Sequence, residues 1–287
     1  SGFVGRKILE HLQAADHQIK ALVRTPQSLA KQPQIEAVSG DITRPETFAQ
    51  QLESCDAVIN LVGIIREFPG RGITFDRLHR QATEDLLQVA QEQGVNRYLQ
   101  MSANGTRENA VTGYHRSKWA AEQLVQQSSC NWTIFRPSLI HGPEDMFVNL
   151  LAKLVRTLPL IPVMGAGQYR LQPVHVEDVA AAFVAALERT DCHEQIYSCC
   201  GPQAYSYDAI LDLIATAVGR KSPVPKLHQP LPLVKPLIGA LQRMPRFPMT
   251  SDQLEMLLEE NICDDNSWAE TFGLDLRDFR SSIGDYL

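Results

Sequence analysis

The 287-residue sequence has no excess of basic residues: 27 Lys and Arg stand against 33 Asp and Glu, a formal net charge of −6. A broad cationic surface for nucleic acid is thereby excluded. No apolar run approaches the roughly 18 residues of a membrane span, and no signal peptide opens the chain. There is no CxxC pair, and the 6 cysteines (Cys55, Cys130, Cys192, Cys199, Cys200, Cys263) are scattered. They read as reduced thiols of a cytoplasmic protein, not as a metal site or a disulfide frame. Internal repeats are absent.

One further lack concerns the start. A doubly wound nucleotide fold begins with a strand in the middle of its sheet, yet Ser1 enters directly into a glycine turn. The reading is that the first strand, roughly eight to ten residues, is missing from the chain as given.

What is present is ordinary for a globular protein: 44% hydrophobic and 21% charged residues, enough to bury a large α/β core. Short apolar, β-branched runs predict strands over residues 18–23, 35–38, 57–62, 97–102, 132–136 and 195–199. Helical periodicity covers residues 3–14, 46–52, 75–93 and 113–127. Thr43-Arg44-Pro45-Glu46 reads as a capping box opening the second of these. The alternation predicts right-handed βαβ crossovers and a doubly wound parallel sheet of Rossmann type with a small C-terminal substrate lobe. The division expected is 1–190 for an NADP-binding domain, with 137–170 contributing to the substrate lobe. Residues 191–287 would form the remaining sheet edge and a substrate or partner lobe. Within that lobe, 222–250 is crowded with prolines (Pro223, Pro225, Pro230, Pro232, Pro236, Pro245, Pro248) around an apolar stretch, 231–241. That stretch reads as a packed segment of the lobe, a partner-docking surface or a membrane-surface contact.

Gly2-Phe3-Val4-Gly5 running into Arg6-Lys7-Ile8-Leu9 has the form of a glycine turn that lets backbone approach a pyrophosphate at a helix N-terminus. At the end of the next strand, NAD-binding folds place an acid for the ribose 2′-hydroxyl. Here the residue is Arg24, with no acid until Glu36. A guanidinium there suits a 2′-phosphate, so NADP(H) is expected; the alternative is a solvated surface arginine. Asp41 and Ile42 end the following strand, where Asp41 serves the adenine amino group or only a turn. Asn60 and Gly63 end the next, beside ribose and phosphates. Tyr114 and Lys118 stand four apart on one helix face, so the ammonium can favour the phenolate and hold the nicotinamide ribose. That is the equipment of carbonyl reduction, with the proton at Tyr114.

Ser1–Gly5, Arg24, Gly40-Asp41-Ile42, Asn60–Gly63, Met101–Gly105, Tyr114–Lys118, Arg136–Pro143 and Gln172–Ala180 occur in an order that resembles the short-chain dehydrogenase/reductase superfamily, in its extended and atypical branches. The resemblance implies that Pro137 borders the nicotinamide, that 141–143 begin the substrate lobe, and that Asp178 opens a helix. It puts the catalytic hydroxyl at Asn104, with Ser102 the alternative; Asn can donate to a carbonyl. More finely, residues 114–125, 136–149, 172–180 and 247–261 resemble bacterial relatives of a nucleotide-binding accessory subunit of respiratory complex I, the ninth of its alpha subcomplex. That likeness implies a membrane-bound NADH dehydrogenase complex as partner, and a location at the inner membrane only through it. Three functions follow. The first is an NADP(H)-dependent reductase, epimerase or dehydratase on a small or sugar-like carbonyl compound. The second is a nucleotide-holding accessory protein, and the third an NADPH-sensing regulatory protein. His175, beside Glu177 and Asp178, reads as a cap or ion pair before a metal ligand. Arg170 and Gln172 read as substrate contacts or a core-edge pair.

Overall fold

The computed structural model describes residues 2–29, 33–242, 244, 247 and 249–287. Ser1 of the glycine turn, and Pro245 and Pro248 of the proline-rich stretch, lie outside them. The chain forms two compact units. One comprises Ser1–Arg136, Val179–Ser198 and Trp268–Leu274; the other comprises Pro137–Asp178, Cys199–Ser267 and Asp275–Leu287.

The first unit carries the expected parallel architecture. Helix α1 (Phe3–Ala14) leads into β1 (Ile19–Val23), which pairs in parallel with β2 (Ile35–Ser39). Strands β3 (Ala57–Asn60), β4 (Arg97–Met101) and β5 (Asn131–Pro137) form a second parallel ladder, and Gln195–Cys199 lies beside β5 at its edge. The sheet is thus in two pieces, β1–β2 and a four-stranded one. Strand β4 is buried from Arg97 to Gln100, as a central strand covered on both faces must be. Alternation sends Tyr98, Trp132 and Ile134 to one face, where they pack with Leu86, Val89 and Val125. Phe135, pointing the other way, meets Phe183 and Phe272, with ring centroids 4.4 and 5.5 Å away. On that face Arg97 is buried without a carboxylate: its guanidinium donates to the carbonyls of Ala186 and Asn131 and to Thr133 Oγ1.

Helices α2 (Ala82–Glu92) and α3 (Gly113–Gln127) cover the sheet. Two sequence expectations are corrected here. The helix expected over 46–52 is a pair of 3-10 turns, Pro45–Thr47 and Ala49–Leu52, and Thr43 caps nothing. Thr43 is turned toward Asp41 and Arg77: the Asp41 carboxylate accepts from its amide at 2.9 Å and its hydroxyl at 2.8 Å, and its oxygen accepts from Arg77 Nη2. The periodic stretch 75–93 is helical, but it opens as a π-turn over Asp76–Gln81 before α2 begins.

In the second unit, helices Phe147–Thr157 and Tyr207–Ala217 enclose Val148, Leu151, Val155, Ile210, Leu211 and Ile214. The apolar stretch is a helix, Leu231–Leu241, that seats Val234 and Ile238 against Leu254. Its opposite face leaves Leu233 70% and Leu237 58% exposed, so the packed-segment reading holds for one face only. The expectation that every cysteine is reduced is wrong for two: Cys200 and Cys263 form a disulfide, with Cα atoms 6.0 Å apart. Gln172 brings them together across 63 residues. Its Nε2 donates to the Gly201 carbonyl and its Oε1 accepts from the Cys263 amide. Cys55, Cys130, Cys192 and Cys199 are free thiols.

Candidate nucleotide site

The first intrahelical bond of α1 runs from the Arg6 amide to the Gly2 carbonyl at 2.9 Å, leaving the amides of Phe3, Val4 and Gly5 outside the helical ladder. No side chain caps this end and no acid sits in its first turn. A Cβ at Gly2 would meet nothing within 4 Å, and one at Gly5 only Leu61 Cδ1 at 3.8 Å. Internal packing therefore demands glycine at neither place. Bare backbone amides at a positive helix end fit a dinucleotide pyrophosphate.

Arg24 follows β1 and is exposed; Asp41 follows β2. The Thr43 amide is the main cause holding the Asp41 carboxyl below its ordinary range, and the charges of Arg44 and Arg24 add to it. Arg77 Nη2 donates to Thr43 Oγ1 at 3.2 Å. Asp41 is thus a turn-former in a basic corner, and Arg44 and Arg77 are members of that corner that the sequence reading passed over. Ile42 packs its side chain against the Phe48 cluster.

Asn60 ends β3, as the sequence places it. Its amide is buried, with Nδ2 near Thr83 Oγ1, Tyr98 Oη and Gln100 Oε1, and its Oδ1 accepts from the Val62 amide at 3.1 Å. Its side chain thus shapes the loop after β3 from within. At Gly63 the demand for glycine is internal, because a Cβ there would stand 3.0 Å from Lys118 Nζ.

Lys118, 2% exposed on α3, donates from Nζ to the carbonyls of Val62 at 3.2 Å and Met101 at 3.1 Å, tying the ends of β3 and β4 together. Burial lowers its pKa to about 8, against the opposing charge of Glu122 one turn on. Glu122 is itself held by Arg136, with Nε to Oε1 at 2.8 Å. Tyr114 departs from expectation. Its ring is edge-on to Phe75, His79 and His115, and burial alone pushes its phenol up to about 12. The Lys118 ammonium donates to two backbone carbonyls, and burial, not its charge, sets the direction of the phenol's shift.

Ser102, buried, donates its amide to the Phe135 carbonyl and its hydroxyl to Thr106 Oγ1 at 3.3 Å. Asn104 and Gly105 form the turn that follows. Gly105 has φ +85°, and a Cβ on it would stand 3.3 Å from the His115 ring, so this turn packs against the residue beside Tyr114. His115 belongs to the cap of α3, 3.1 Å from Thr112 Oγ1.

His79 was not singled out in the sequence. It is 1% exposed, accepts the Ile64 amide at Nε2 (3.0 Å) and lies 2.7 Å from Ser117 Oγ at Nδ1. Burial, then the charge of Lys118, lowers its pKa to about 2, so it is neutral. Since Nε2 accepts, the proton is assigned to Nδ1, which donates to Ser117.

In the second unit, Pro137 is buried at the end of β5. Arg170 forms a surface pair with Glu260, 2.7 Å apart. His175 Nδ1 accepts the Glu177 amide, and Asp178, in the first turn of Val176–Ala185, accepts from Arg277. Among the described residues no cluster of three or more potential ligands could hold a metal.

A parallel α/β fold whose glycine turn opens a helix, with Tyr114 and Lys118 on the covering helix, is that of a Rossmann-type dinucleotide binder. Residues 1–190 match the NAD(P)H-binding family, and the chain belongs to it. It is similar to subunit 9 of the NADH dehydrogenase (ubiquinone) 1 alpha subcomplex, mitochondrial, of Arabidopsis thaliana: 28% identical over 286 residues, covering 93% of this chain and 70% of that protein. It is also similar to a ceramide reductase of Caulobacter vibrioides, 28% identical over 187 residues. That match covers 64% of this chain and 58% of the reductase. Among solved structures, a nucleoside-diphosphate-sugar epimerase from Staphylococcus aureus shares the fold, with a TM-score of 0.77 at 15% identity over 99% of this chain and 97% of that one. These relatives accord with the extended short-chain dehydrogenase/reductase branch that the motifs indicate.

Proposed function

We propose that this chain holds NADP(H) in preference to NAD(H) and serves a membrane-bound NADH dehydrogenase complex as an accessory protein, from the cytoplasmic face. The observation that carries the cofactor choice is the corner at the ends of β1 and β2, where Arg24 and Arg44 both act on Asp41 and no acid closes β1. A 2′-phosphate finds paired cations there, and a 2′-hydroxyl finds no carboxylate at the end of β1. The likeness to the Arabidopsis subunit over 93% of this chain supports the accessory role. Thermal unfolding with NADPH, NADP+, NADH and NAD+ in turn tests the cofactor. Ligand at a hundred times its dissociation constant adds about 2.7 kcal/mol, a shift of a few degrees. Stabilisation by the phosphorylated pair alone is expected. Gentle extraction should retain the protein with the dehydrogenase complex, and a protein found alone in every preparation speaks against the partner.

The intact Tyr114 and Lys118 pair favours a second reading, an NADPH-dependent reductase. Bound NADPH would supply a hydride. The carbonyl oxygen would accept a hydrogen bond from Ser102 or Asn104 and take its proton from Tyr114 Oη, with Lys118 stabilising the phenolate left behind. Tyr114→Phe should then abolish turnover and leave nucleotide binding nearly intact.

A further inference from the structure

We infer that His79 is the positioning residue that locks the loop after β3 to the first turn of α3, so that Gly63 and Lys118 meet the dinucleotide as one preset surface. The inference rests on the dinucleotide reading of this site. Four hydrogen bonds carry it. The Ile64 amide donates to His79 Nε2 at 3.0 Å, which fixes the loop containing Val62 and Gly63. His79 Nδ1 lies 2.7 Å from Ser117 Oγ, and Ser117 donates to the Tyr114 carbonyl at 2.7 Å, which fixes the start of α3. Lys118 then closes the circuit through the Val62 carbonyl at 3.2 Å. One imidazole therefore touches both sides of the gap in which a Cβ on Gly63 would stand 3.6 Å from Nε2 and 3.0 Å from Nζ.

The ring suits the task because it accepts at one nitrogen and donates at the other, which no aliphatic core residue does. His79 lies within the π-turn of Asp76–Gln81. Both ring nitrogens are paired, as a buried imidazole requires, and the two partners belong to different segments, the loop after β3 and α3. Here removal of the ring leaves the Ile64 amide without its acceptor and lets the glycine loop move relative to Lys118.

The test compares His79→Ala, His79→Gln and His79→Asn in the full chain by NADPH titration and by hydrogen exchange at Ile64. Gln reaches the Nε2 position and keeps an acceptor for the Ile64 amide; Asn reaches only the Nδ1 side. His79→Ala and His79→Asn should weaken NADPH by about tenfold or more and expose the Ile64 amide to exchange, while amides of β4 and β5 keep their protection. His79→Gln should restore both readouts to within about threefold of the wild type on the same scale. Wild-type NADPH affinity in a folded His79→Asn protein whose Ile64 has lost protection would overturn the inference, as would a folded His79→Gln protein that restores neither readout. Should His79→Ala not fold, the Gln and Asn pair decides. If the wild type binds no nucleotide, the dinucleotide reading fails on its own. The exchange arm then still decides whether His79 holds the loop.

Discussion

Gly63 and Lys118 occupy one space: a single carbon added to the glycine would stand 3.0 Å from the lysine ammonium. The ammonium cannot retreat without losing the carbonyls of Val62 and Met101. Gly63→Ala should therefore cost about 1–3 kcal/mol of stability through overpacking, and weaken NADPH as well. Thermal unfolding and nucleotide titration of the variant check this. An alanine protein matching the wild type in both would show that the loop yields freely.

The buried lysine makes a pH prediction with a definite sign. Its folded pKa is about 8, below its unfolded value near 10.4, so between those pH values the unfolded chain binds more protons than the folded one. Stability from this group therefore rises as pH climbs from about 8 to about 10 and is flat below about 8. Relative to Lys118→Met, the wild type should gain on the order of 3 kcal/mol across that window. Denaturant unfolding of both proteins at pH 7, 8, 9 and 10 measures it, and parallel curves would mean that the ammonium is solvated.

At the nucleotide corner, Arg24→Asp replaces the cation with the acid that holds a ribose 2′-hydroxyl in NAD-binding folds. NADPH affinity should fall by roughly ten- to a hundredfold while NADH affinity holds or rises. Arg44→Ala should weaken NADPH in the same direction and by less. Equal loss for both nucleotides would place Arg24 outside the selective contact.

Cys200 and Cys263 are the partners that reduction should release. Alkylation of denatured protein before reduction should label the four free thiols Cys55, Cys130, Cys192 and Cys199. Prior reduction should add two more, reaching the 6 cysteines of the chain. Cys200→Ser is expected to cost about 2–4 kcal/mol. Six labelled thiols without reduction would remove the bridge.

The six predicted strands and the boundaries of α1 and α3 were legible because each is a local matter: apolar, β-branched runs between turn residues, and helical periodicity that ends where it should. What escaped reading depends on partners distant in sequence. Thr43 carries a good cap signature, but Asp41, two residues back, claims its hydroxyl. Asn60 ends a strand where a cofactor would pass, yet Tyr98 and Gln100 on the neighbouring strand enclose its amide. Tyr114 and Lys118 have the right spacing, but the effect on the phenol depends on where the ammonium is spent, which spacing does not say. The disulfide joins segments 63 residues apart that are both bonded to Gln172, a residue of neither. His79 looked like one more polar residue in a periodic stretch. It shares the buried face of its helix with Phe75, Ala82, Thr83 and Leu86, and its two polar partners, Ile64 and Ser117, lie far from it in sequence.

The π-turn makes the length of its segment a functional quantity. An α-helix advances about 100° per residue, so removing one residue from Asp76–Gln81 and letting it close as a regular helix would swing the imidazole about that far away from Ile64 and Ser117. The rest of the helix could pack as before. A single deletion there would thus separate the imidazole from both of its partners without altering Gly63 or Lys118.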